Sequence, residues 1–341
     1  MSNAVETYRA VQAIEPGRFA LSELPLPTPG PGQVRVRVEA CGVCHSDAVT
    51  VEGWLPVSFP RVPGHEVVGR IDGLGDGITD WAVGQRVGVG YLGGHCGHCA
   101  RCRRGDFVNC LEQPVTGMHV DGGYAEVLVA RESGLVAIPE ELESVEAAPL
   151  LCAGLTTFNA LRNSGARGGD LVAVLGIGGL GHLGLQYARR MGFRVVAIAR
   201  GAEKEALALE LGAHAYIDSV AQDATAELTR LGGARLILAT ASSAEAMSAL
   251  IPGLAPGGDL VVVGADTEPI RVSTTDLLFG ERSLDGSLTG SAADNEDTLA
   301  FSVLQDVRAR IEVVPLDDAP AAYARMMSNQ ARFRMVLDMS R

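Results

Sequence analysis

The sequence has few aromatic residues and less positive than negative charge. Aromatic residues make up 5% of its 341 residues, and 28 Lys and Arg face 41 Asp and Glu, which leaves a formal net charge of −13. An acidic surface repels phosphate backbones, so nucleic acid is not expected among the partners. The 47% of apolar and 20% of charged residues are the proportions of a globular protein with a core, which excludes a disordered or fibrous chain.

Segments that export a protein or hold it in a membrane are also missing from the sequence. Residues 1–7 show no basic stretch followed by an apolar one, so no signal peptide is predicted. The longest uncharged run, 171–188, approaches the length of a membrane span, but it contains five glycines together with His182 and Gln186. It begins like a strand and ends like a helix, and we therefore expect a cytoplasmic protein without a membrane partner.

Disulfide bonds are not expected, because the seven cysteines are odd in number and clustered. Four of them lie within fifteen residues, at Cys96, Cys99, Cys102 and Cys110. Four thiolates fill the tetrahedral shell of Zn²⁺ and leave no open position, so this spacing predicts a structural zinc site in a lobe of about residues 93–112. His95 and His98 are interleaved with these thiols, and we interpret both as loop residues.

The chain has two regions with different patterns of apolar residues. Up to about Pro149, short apolar runs alternate with Gly and Pro, and residues 34–39 alternate with period two, which predicts a mostly β region. From about Leu151, strand and helix patterns alternate with short connections, which predicts a doubly wound parallel sheet. After about Gly290 the pattern becomes irregular. In the second region we predict strands over 171–175, 194–199, 215–217, 235–239 and 259–263, and helices ending at 191 and spanning 203–211, 221–231 and 243–250.

A glycine-rich turn lies between the first strand and helix of this second region. Gly176, Gly178 and Gly181, with Gly179 and Leu180 between them, form a G-x-G-x-x-G motif that directly follows a strand and opens a helix. The first glycine permits the tight turn, the second lets backbone approach a pyrophosphate, and the third packs helix against strand. The motif therefore predicts a dinucleotide site.

The end of the second strand of this region bears on the choice of dinucleotide. NAD-preferring folds carry an acidic residue there to bind the ribose 2′-hydroxyl, but residues 198–201 are Ile-Ala-Arg-Gly. Arg200 is placed to pair with a 2′-phosphate, and Lys204 is a further candidate. The alternative is that Arg200 is a solvated loop residue. On this basis we predict a preference for NADP(H).

The three remaining cysteines lie among other metal-ligating residue types. A catalytic zinc has three protein ligands and one open position. Spacing alone leaves the choice open among Cys41, Cys44, His45, His65, Glu66 and Cys152.

Five motifs of the chain, in order, strongly resemble those of the zinc-dependent medium-chain alcohol dehydrogenases. They are Cys41-Gly-Val-Cys44-His45-Ser46-Asp47, Gly64-His65-Glu66, the four-cysteine lobe, Leu151-Cys152-Ala-Gly-Leu-Thr-Thr and Gly176-Ile-Gly-Gly-Leu-Gly-His. The resemblance covers essentially the whole chain and is strongest for the bacterial and yeast alcohol dehydrogenase and cinnamyl alcohol dehydrogenase branches. It implies an α/β protein with a GroES-like β-rich catalytic domain, residues 1–150 and 288–341, and a Rossmann NAD(P)-binding domain with a doubly wound parallel sheet, residues 151–287.

The resemblance also implies a ligand set. Cys44, His65 and Cys152 would bind the catalytic zinc, which makes two zinc ions per chain, and Cys41 becomes a buried small residue. Glu66 would lie behind the zinc and could ligate it transiently. Asp47 would accept a hydrogen bond from His65 and thereby fix its tautomer.

The implied reaction is the reversible oxidation of a primary or secondary alcohol, allylic and aromatic ones included, to an aldehyde or ketone with hydride transfer to NAD(P)⁺. Ser46 would accept the proton first, the alternative being a turn hydroxyl beside Asp47. Many relatives have a relay histidine where this chain has Val49, so we expect the proton to leave by another path. The rival functions are a zinc-free quinone or enone reductase and a non-catalytic zinc-stabilised nucleotide-binding redox sensor.

Further contacts follow from the same resemblance. His45 would lie near the cofactor pyrophosphate, Thr156 would contact the nicotinamide, and Arg334 would contact a phosphate. The nicotinamide carboxamide would be bound by the backbone of Val263, Gly264, Ser287 and Leu288. Trp54 and Tyr91 would line the substrate pocket, although core packing is an alternative for Trp54. No specific role is predicted for His119, His182 and His214. Relatives of this length are commonly homotetramers, sometimes homodimers.

Overall fold

The computed structural model describes residues Glu6–Arg341 and divides the chain into two compact units. The first unit runs up to Cys152 and resumes at Gly290–Arg341, and the second is Ala153–Thr289. The second domain that the sequence suggests, 151–287, begins and ends two residues earlier. In the described part of the chain, no helix is long and apolar enough to cross a membrane.

The elements are numbered in chain order. The strands are β1 (Thr7–Glu15), β2 (Arg18–Pro25), β3 (Gln33–Val43), β4 (Val67–Leu74), β5 (Arg86–Val89), β6 (Val127–Arg131), β7 (Leu135–Ala137), β8 (Leu171–Leu175), β9 (Arg194–Ala199), β10 (Ala215–Asp218), β11 (Ala234–Ala239), β12 (Leu254–Val262), β13 (Ser283–Gly286), β14 (Ile311–Pro315) and β15 (Arg334–Asp338). The helices are α1 (Ala48–Val51), α2 (Ser144–Ala147), α3 (Ala153–Arg162), α4 (Gly181–Arg190), α5 (Glu205–Glu210), α6 (Ala224–Arg230), α7 (Ala244–Leu250), α8 (Thr274–Leu278), α9 (Ala292–Gln305) and α10 (Ala319–Met327).

The first unit is built on a sheet whose strands follow the order β14-β15-β3-β4-β5-β7, with β6 also paired to β3. The first half of β3 buries every second residue against the core, as its period-two pattern predicts, and its last four residues are all buried. Antiparallel pairing places Met335 of β15 opposite Val43 and Val67 of β4 opposite Cys41. The end of β3 therefore lies beside the starts of β4 and β15.

The second unit has a six-stranded parallel sheet of order β10-β9-β8-β11-β12-β13. All five residues of β8 are buried, as expected for a central strand covered on both faces. Strand order runs outward in both directions from β8 and β11, so the switch point lies between these two strands. This order confirms the predicted doubly wound sheet.

Several predicted element bounds were wrong, and helix caps explain two of these differences. The region after Gly290, expected to be irregular, holds the 14-residue helix α9, which Ser291 caps by accepting the N–H of Asp294. Helix α6 begins at Ala224 rather than at residue 221, because the Asp223 carboxylate accepts the N–H groups of Thr225 and Ala226. The edge strand β13 was not predicted, and α5 is preceded by a 3₁₀ turn at 202–204.

Candidate active site and cofactor site

Four buried side chains in the first unit form a cluster with the composition of a metal site. They are Cys44, His65, Glu66 and Cys152, and one ligand atom of each lies within 4.8 Å of all the others. The two Sγ atoms of Cys44 and Cys152 are 3.8 Å apart. The cluster forms because Cys44 follows β3 while His65 and Glu66 directly precede β4, the neighbouring strand.

The cluster fits a zinc ion. His65 Nε2 and Glu66 Oε2 are buried, and neither has a hydrogen-bond partner in the structure. Buried polar atoms are rarely left unpaired, so these two atoms are suited to face a cation. Two thiols and an imidazole are the donor set that suits Zn²⁺, and three such ligands leave the open position of a catalytic site. The hydrogen bond between the thiols lowers the pKa of Cys44 well below its usual range and raises that of Cys152.

Asp47 holds the imidazole of His65 from behind. Its Oδ1 lies 2.8 Å from His65 Nδ1, and its Oδ2 accepts the backbone N–H of Cys44 at 2.9 Å. A proton on Nδ1 that is directed to the carboxylate leaves the Nε2 lone pair free for a metal. This is the arrangement that the sequence analysis expects for these two side chains. The phenol of Tyr124 also donates to Asp47 Oδ2, at 2.8 Å, and no sequence motif pointed to that contact.

Glu66 is ion-paired with Arg334. The carboxylate Oε1 accepts a hydrogen bond from Nη2 of the guanidinium, and the side chains are 0% and 4% exposed. Burial raises the pKa of Glu66 to about 7, against the opposing charge of Arg334. Gly42 of β3 makes room for this carboxylate, because a Cβ there would lie 1.8 Å from Oε2. The contact of Arg334 with Glu66 was not predicted, and the contact of Arg334 with a cofactor phosphate remains a prediction.

Cys41 lies outside the metal cluster. It is fully buried, and a Cβ at either Gly64 or Gly123 would come within 3 Å of its Sγ. Gly64 has φ +98°, a conformation that favours glycine, so the Cys41 thiol packs directly against the backbone of a residue without a side chain. Burial raises the pKa of Cys41 well above its usual range. A protonated thiol of this kind is inert.

A cavity opens beside His65 and contains several predicted residues. Its lining is formed by Ser46, Asp47, Val49, Thr50, His65, Tyr91, Val115, Thr116 and Met118. The ring of Tyr91 packs edge-on against His65, with centroids 5.1 Å apart. Trp54 is 57% exposed, so the alternative of core packing for Trp54 is wrong. Its ring centroid lies 6.2 Å from that of the exposed His45. Sequence analysis missed the three lining residues of 115–118, since no motif marks them.

The four-cysteine lobe forms a second cluster in the same unit. The ligand atoms of Cys96, Cys99, Cys102 and Cys110 lie within 4.8 Å of one another. Backbone N–H groups of Cys99 and Cys102 approach neighbouring sulfurs at 3.3 and 3.4 Å, which favours thiolates. Backbone hydrogen bonds of this kind lower the pKa of Cys99 to about 6. Of the interleaved histidines, His95 stacks on Phe107, and exposed His98 forms with Cys96 and Glu112 an overlapping set that could hold a metal.

In the second unit, the glycine-rich turn has the shape of a phosphate cradle. Gly176 has φ +93°, and a Cβ at Gly181 would lie 1.9 Å from the Gly176 carbonyl oxygen, so α4 packs directly on the turn. A Cβ at Gly178 would have no atom within 4 Å, so the backbone of this residue is open to a ligand. Gly179 and Leu180 complete the turn before α4. The hydroxyl of Thr240 donates to the Gly176 carbonyl at 3.1 Å and steadies it. The turn fits the pyrophosphate of a dinucleotide.

Of the other predicted cofactor residues of this unit, Thr156 lies in α3, whereas Val263, Ser287 and Leu288 follow the carboxyl ends of β12 and β13. The hydroxyl of Thr156 donates to the Leu288 carbonyl at 3.5 Å. The N–H groups of Val263 and Ser287 are bonded within the sheet, to the carbonyls of Ala239 and Val262, and only their carbonyls remain for a ligand.

The end of β9 carries both cationic and acidic side chains. Arg200 is exposed and Lys204 is partly exposed. Gly201 follows with φ +80°, and the carboxylate of Glu203 lies against it, since a Cβ on Gly201 would come within 2.1 Å of Glu203 Oε2. The prediction rested on residues 198–201 alone, so Glu203, whose carboxylate lies against Gly201, was missed.

A β-rich unit with a zinc-type ligand cluster and a doubly wound unit with a phosphate cradle define a zinc-binding dehydrogenase. Residues 30–140 match the family model "Alcohol dehydrogenase GroES-like domain", and residues 179–303 match "Zinc-binding dehydrogenase". The chain is 44% identical over 335 residues to alcohol dehydrogenase notN of Aspergillus sp. (strain MF297-2), with 98% of each chain covered. The chain belongs to the zinc-dependent medium-chain alcohol dehydrogenase family.

Solved structures agree with this assignment. A cinnamyl alcohol dehydrogenase from Sorghum bicolor is similar with a TM-score of 0.90 and 32% identity, over 98% of both chains. The protein CAD from Helicobacter pylori, complexed with NADP(H), has a TM-score of 0.87 and 27% identity, with 98% of this chain and 99% of that chain covered. The protein is thus a zinc-dependent alcohol dehydrogenase that acts on a small-molecule alcohol with a nicotinamide cofactor. Nothing favours the reductase or redox-sensor alternatives.

Proposed function

We propose that this dehydrogenase interconverts primary or secondary alcohols, allylic and aromatic ones included, and the matching aldehydes or ketones, with its catalytic zinc held by Cys44, His65 and Cys152. The observation that carries the proposal is the convergence of two thiols with the unpaired Nε2 of His65, the one of these ligands that lines the cavity. When bound, zinc supplies a Lewis acid that eases loss of the alcohol proton.

The residues around this cluster divide the remaining work. Asp47 orients His65 and keeps its proton on Nδ1. Ser46, exposed at the cavity wall, accepts the alcohol proton through its hydroxyl oxygen. Val49 lines the same cavity and has no proton to exchange, so the proton does not continue through this position. Tyr91 offers apolar surface to the organic part of the substrate, and the exposed Trp54, which is not part of the cavity lining, is proposed to extend that surface.

The ligand set is tested by zinc analysis of three cysteine variants. We expect about two zinc ions per wild-type chain, one in each cluster, and Cys44→Ser or Cys152→Ser should lose one zinc and nearly all activity. Cys41→Ser is the matched control, since its thiol is buried nearby but lies outside the cluster. Full activity in Cys152→Ser would assign the metal to different ligands. Rates with primary, secondary, allylic and benzylic alcohols would define the substrate class.

We further propose NADP(H) as the preferred cofactor. Support comes from the lack of an acid at 198–201, from the exposed Arg200, and from the NADP(H) named for the similar Helicobacter pylori enzyme. His45 and Arg334 are proposed to contact the cofactor phosphates, and Thr156, Val263, Ser287 and Leu288 its nicotinamide end. Steady-state kinetics with both cofactors test the preference: a kcat/KM for NAD(H) well above that for NADP(H) would contradict it.

Assembly and location belong to the same proposal. We propose a homotetramer or homodimer, as is common among relatives of this length, and sedimentation analysis of the purified protein would distinguish the two. A cytoplasmic location is proposed because all seven cysteines are free and two zinc clusters need reduced thiols.

A further inference from the structure

Tyr124 occupies an unusual position behind the catalytic cluster. It is fully buried, and its hydroxyl donates to Asp47 Oδ2 at 2.8 Å. Because the same oxygen also accepts the N–H of Cys44 and Oδ1 faces His65, the carboxylate of Asp47 is held by three donors. Two of these donors belong to proposed zinc ligands, and the phenol is the third.

The ring and backbone of Tyr124 also contact Pro63 and Gly64, the two residues before His65. Its N–H donates to the carbonyl of Pro63 at 3.0 Å. A Cβ on Gly64 would lie 2.5 Å from Cδ1 of the ring, so ring and Gly64 backbone are in close contact. Tyr124 therefore touches both the backbone before His65 and the carboxylate that orients its imidazole.

We propose that Tyr124 is a positioning residue for the zinc-binding imidazole of His65 and acts through its hydrogen bond to Asp47. The inference rests on the proposed ligand set. Without the phenol, two donors still hold the Asp47 carboxylate, but less firmly, and the His65 Nδ1–H bond that fixes the tautomer then has a less rigid acceptor. The hydroxyl thus tightens zinc binding although it lies two hydrogen bonds from the metal.

The test compares Tyr124→Phe with Tyr323→Phe. The first removes the hydroxyl and keeps the ring against Gly64. The second is a matched control in the same unit, because Tyr323 donates its phenol to the carboxylate Oε1 of Glu52 at 2.9 Å and not to Asp47. Each zinc-loaded variant is mixed with a chelator, and zinc release is followed with a colorimetric dye. Comparison with Cys152→Ser identifies the signal of the catalytic zinc, which that variant should lack.

We expect this zinc to leave Tyr124→Phe roughly tenfold faster than the wild type, the low end of the effect of changes behind a metal ligand. Tyr323→Phe should release it at the wild-type rate, and the zinc of the four-cysteine lobe should be unaffected in both. After Co²⁺ replacement, the visible absorption bands should shift in Tyr124→Phe only, which a loss of general stability would not produce.

Equal release rates in Tyr124→Phe and the wild type, or equal acceleration in the two tyrosine variants, would overturn the inference while leaving the proposed ligand set intact. A wild-type protein whose only zinc disappears with Cys110→Ser would instead overturn the ligand set and this inference with it. Because the hydroxyl acts through Asp47, zinc should leave the double variant Asp47→Asn, Tyr124→Phe no faster than it leaves Asp47→Asn alone.

Discussion

Replacement of Arg334 by methionine should strongly destabilise the first unit of the zinc-free protein. Methionine keeps an unbranched chain of similar reach but removes the guanidinium that pairs with Glu66. Glu66 is 0% exposed, and its second oxygen already has no hydrogen-bond partner. The carboxylate would then be buried without a compensating charge, or would have to bind a proton, because loss of Arg334 removes the cation that holds its pKa down.

The expected magnitude follows from this burial. Removing one partner of a buried ion pair costs about 3–5 kcal/mol, a large share of the ~5–15 kcal/mol that stabilises a typical domain. The additional change Glu66→Gln removes the stranded charge, so the double variant should recover most of that loss. Bound zinc should also reduce the loss, because Glu66 lies within 4.8 Å of the atoms of Cys44, His65 and Cys152 that would hold the cation.

The assay is urea unfolding followed by tryptophan fluorescence, with and without zinc. The two tryptophans, Trp54 and Trp81, both lie in the first unit, so the signal reports on that unit and the second unit does not blur it. A midpoint for Arg334→Met equal to that of the wild type would refute the reasoning. A double variant with Glu66→Gln that is no more stable than Arg334→Met would refute it as well, since the stranded charge would then not be the cause.

Three other variants test separate parts of the molecule. Val49→His puts an imidazole into the cavity beside Ser46, so the pH profile of alcohol oxidation should gain an ionisation near neutral pH, and an unchanged profile would contradict the proton path. Cys110→Ser should remove one zinc per chain and make residues 93–112 sensitive to protease while the other zinc stays, as metal analysis and limited proteolysis would show. Glu203→Gln removes a negative charge beside Gly201 and should raise kcat/KM for NADP(H) by roughly two- to fivefold, whereas no change would place this carboxylate away from the 2′-phosphate.

The parallel sheet could be predicted from sequence because its signals are local. Strands β8 and β9 were predicted at their observed bounds, since continuous apolar runs end at glycine turns there. Helix α9 was missed although Ser291 and Asp294 form a capping box at its start; the polar residues of its first turn hid the apolar positions that follow. Strand β13 has only one partly buried apolar residue, Leu284, and thus no strand pattern to find.

The candidate site divides in the same way. Motifs of seven and three residues identified Cys44, Asp47 and His65, and the structure brings these side chains together. The contacts of Glu66 with Arg334 and of Asp47 with Tyr124 join distant parts of the chain, and the residue types alone do not show which strands are neighbours. Pairing of β3 with β4 and β15 decides both the ligand cluster and the ion pair behind it.

The separation of Glu66 and Arg334 along the chain has a consequence for biosynthesis. The two residues are 268 positions apart, and the whole second unit is made between them. At translation rates of 5–20 residues per second, roughly 15–50 s pass between the emergence of the carboxylate and that of its guanidinium. During that interval β3 and β4 can pair, but Glu66 has no cationic side chain to accompany it into the core. The second unit, which is continuous in sequence, is free to fold on the ribosome before the catalytic unit is complete.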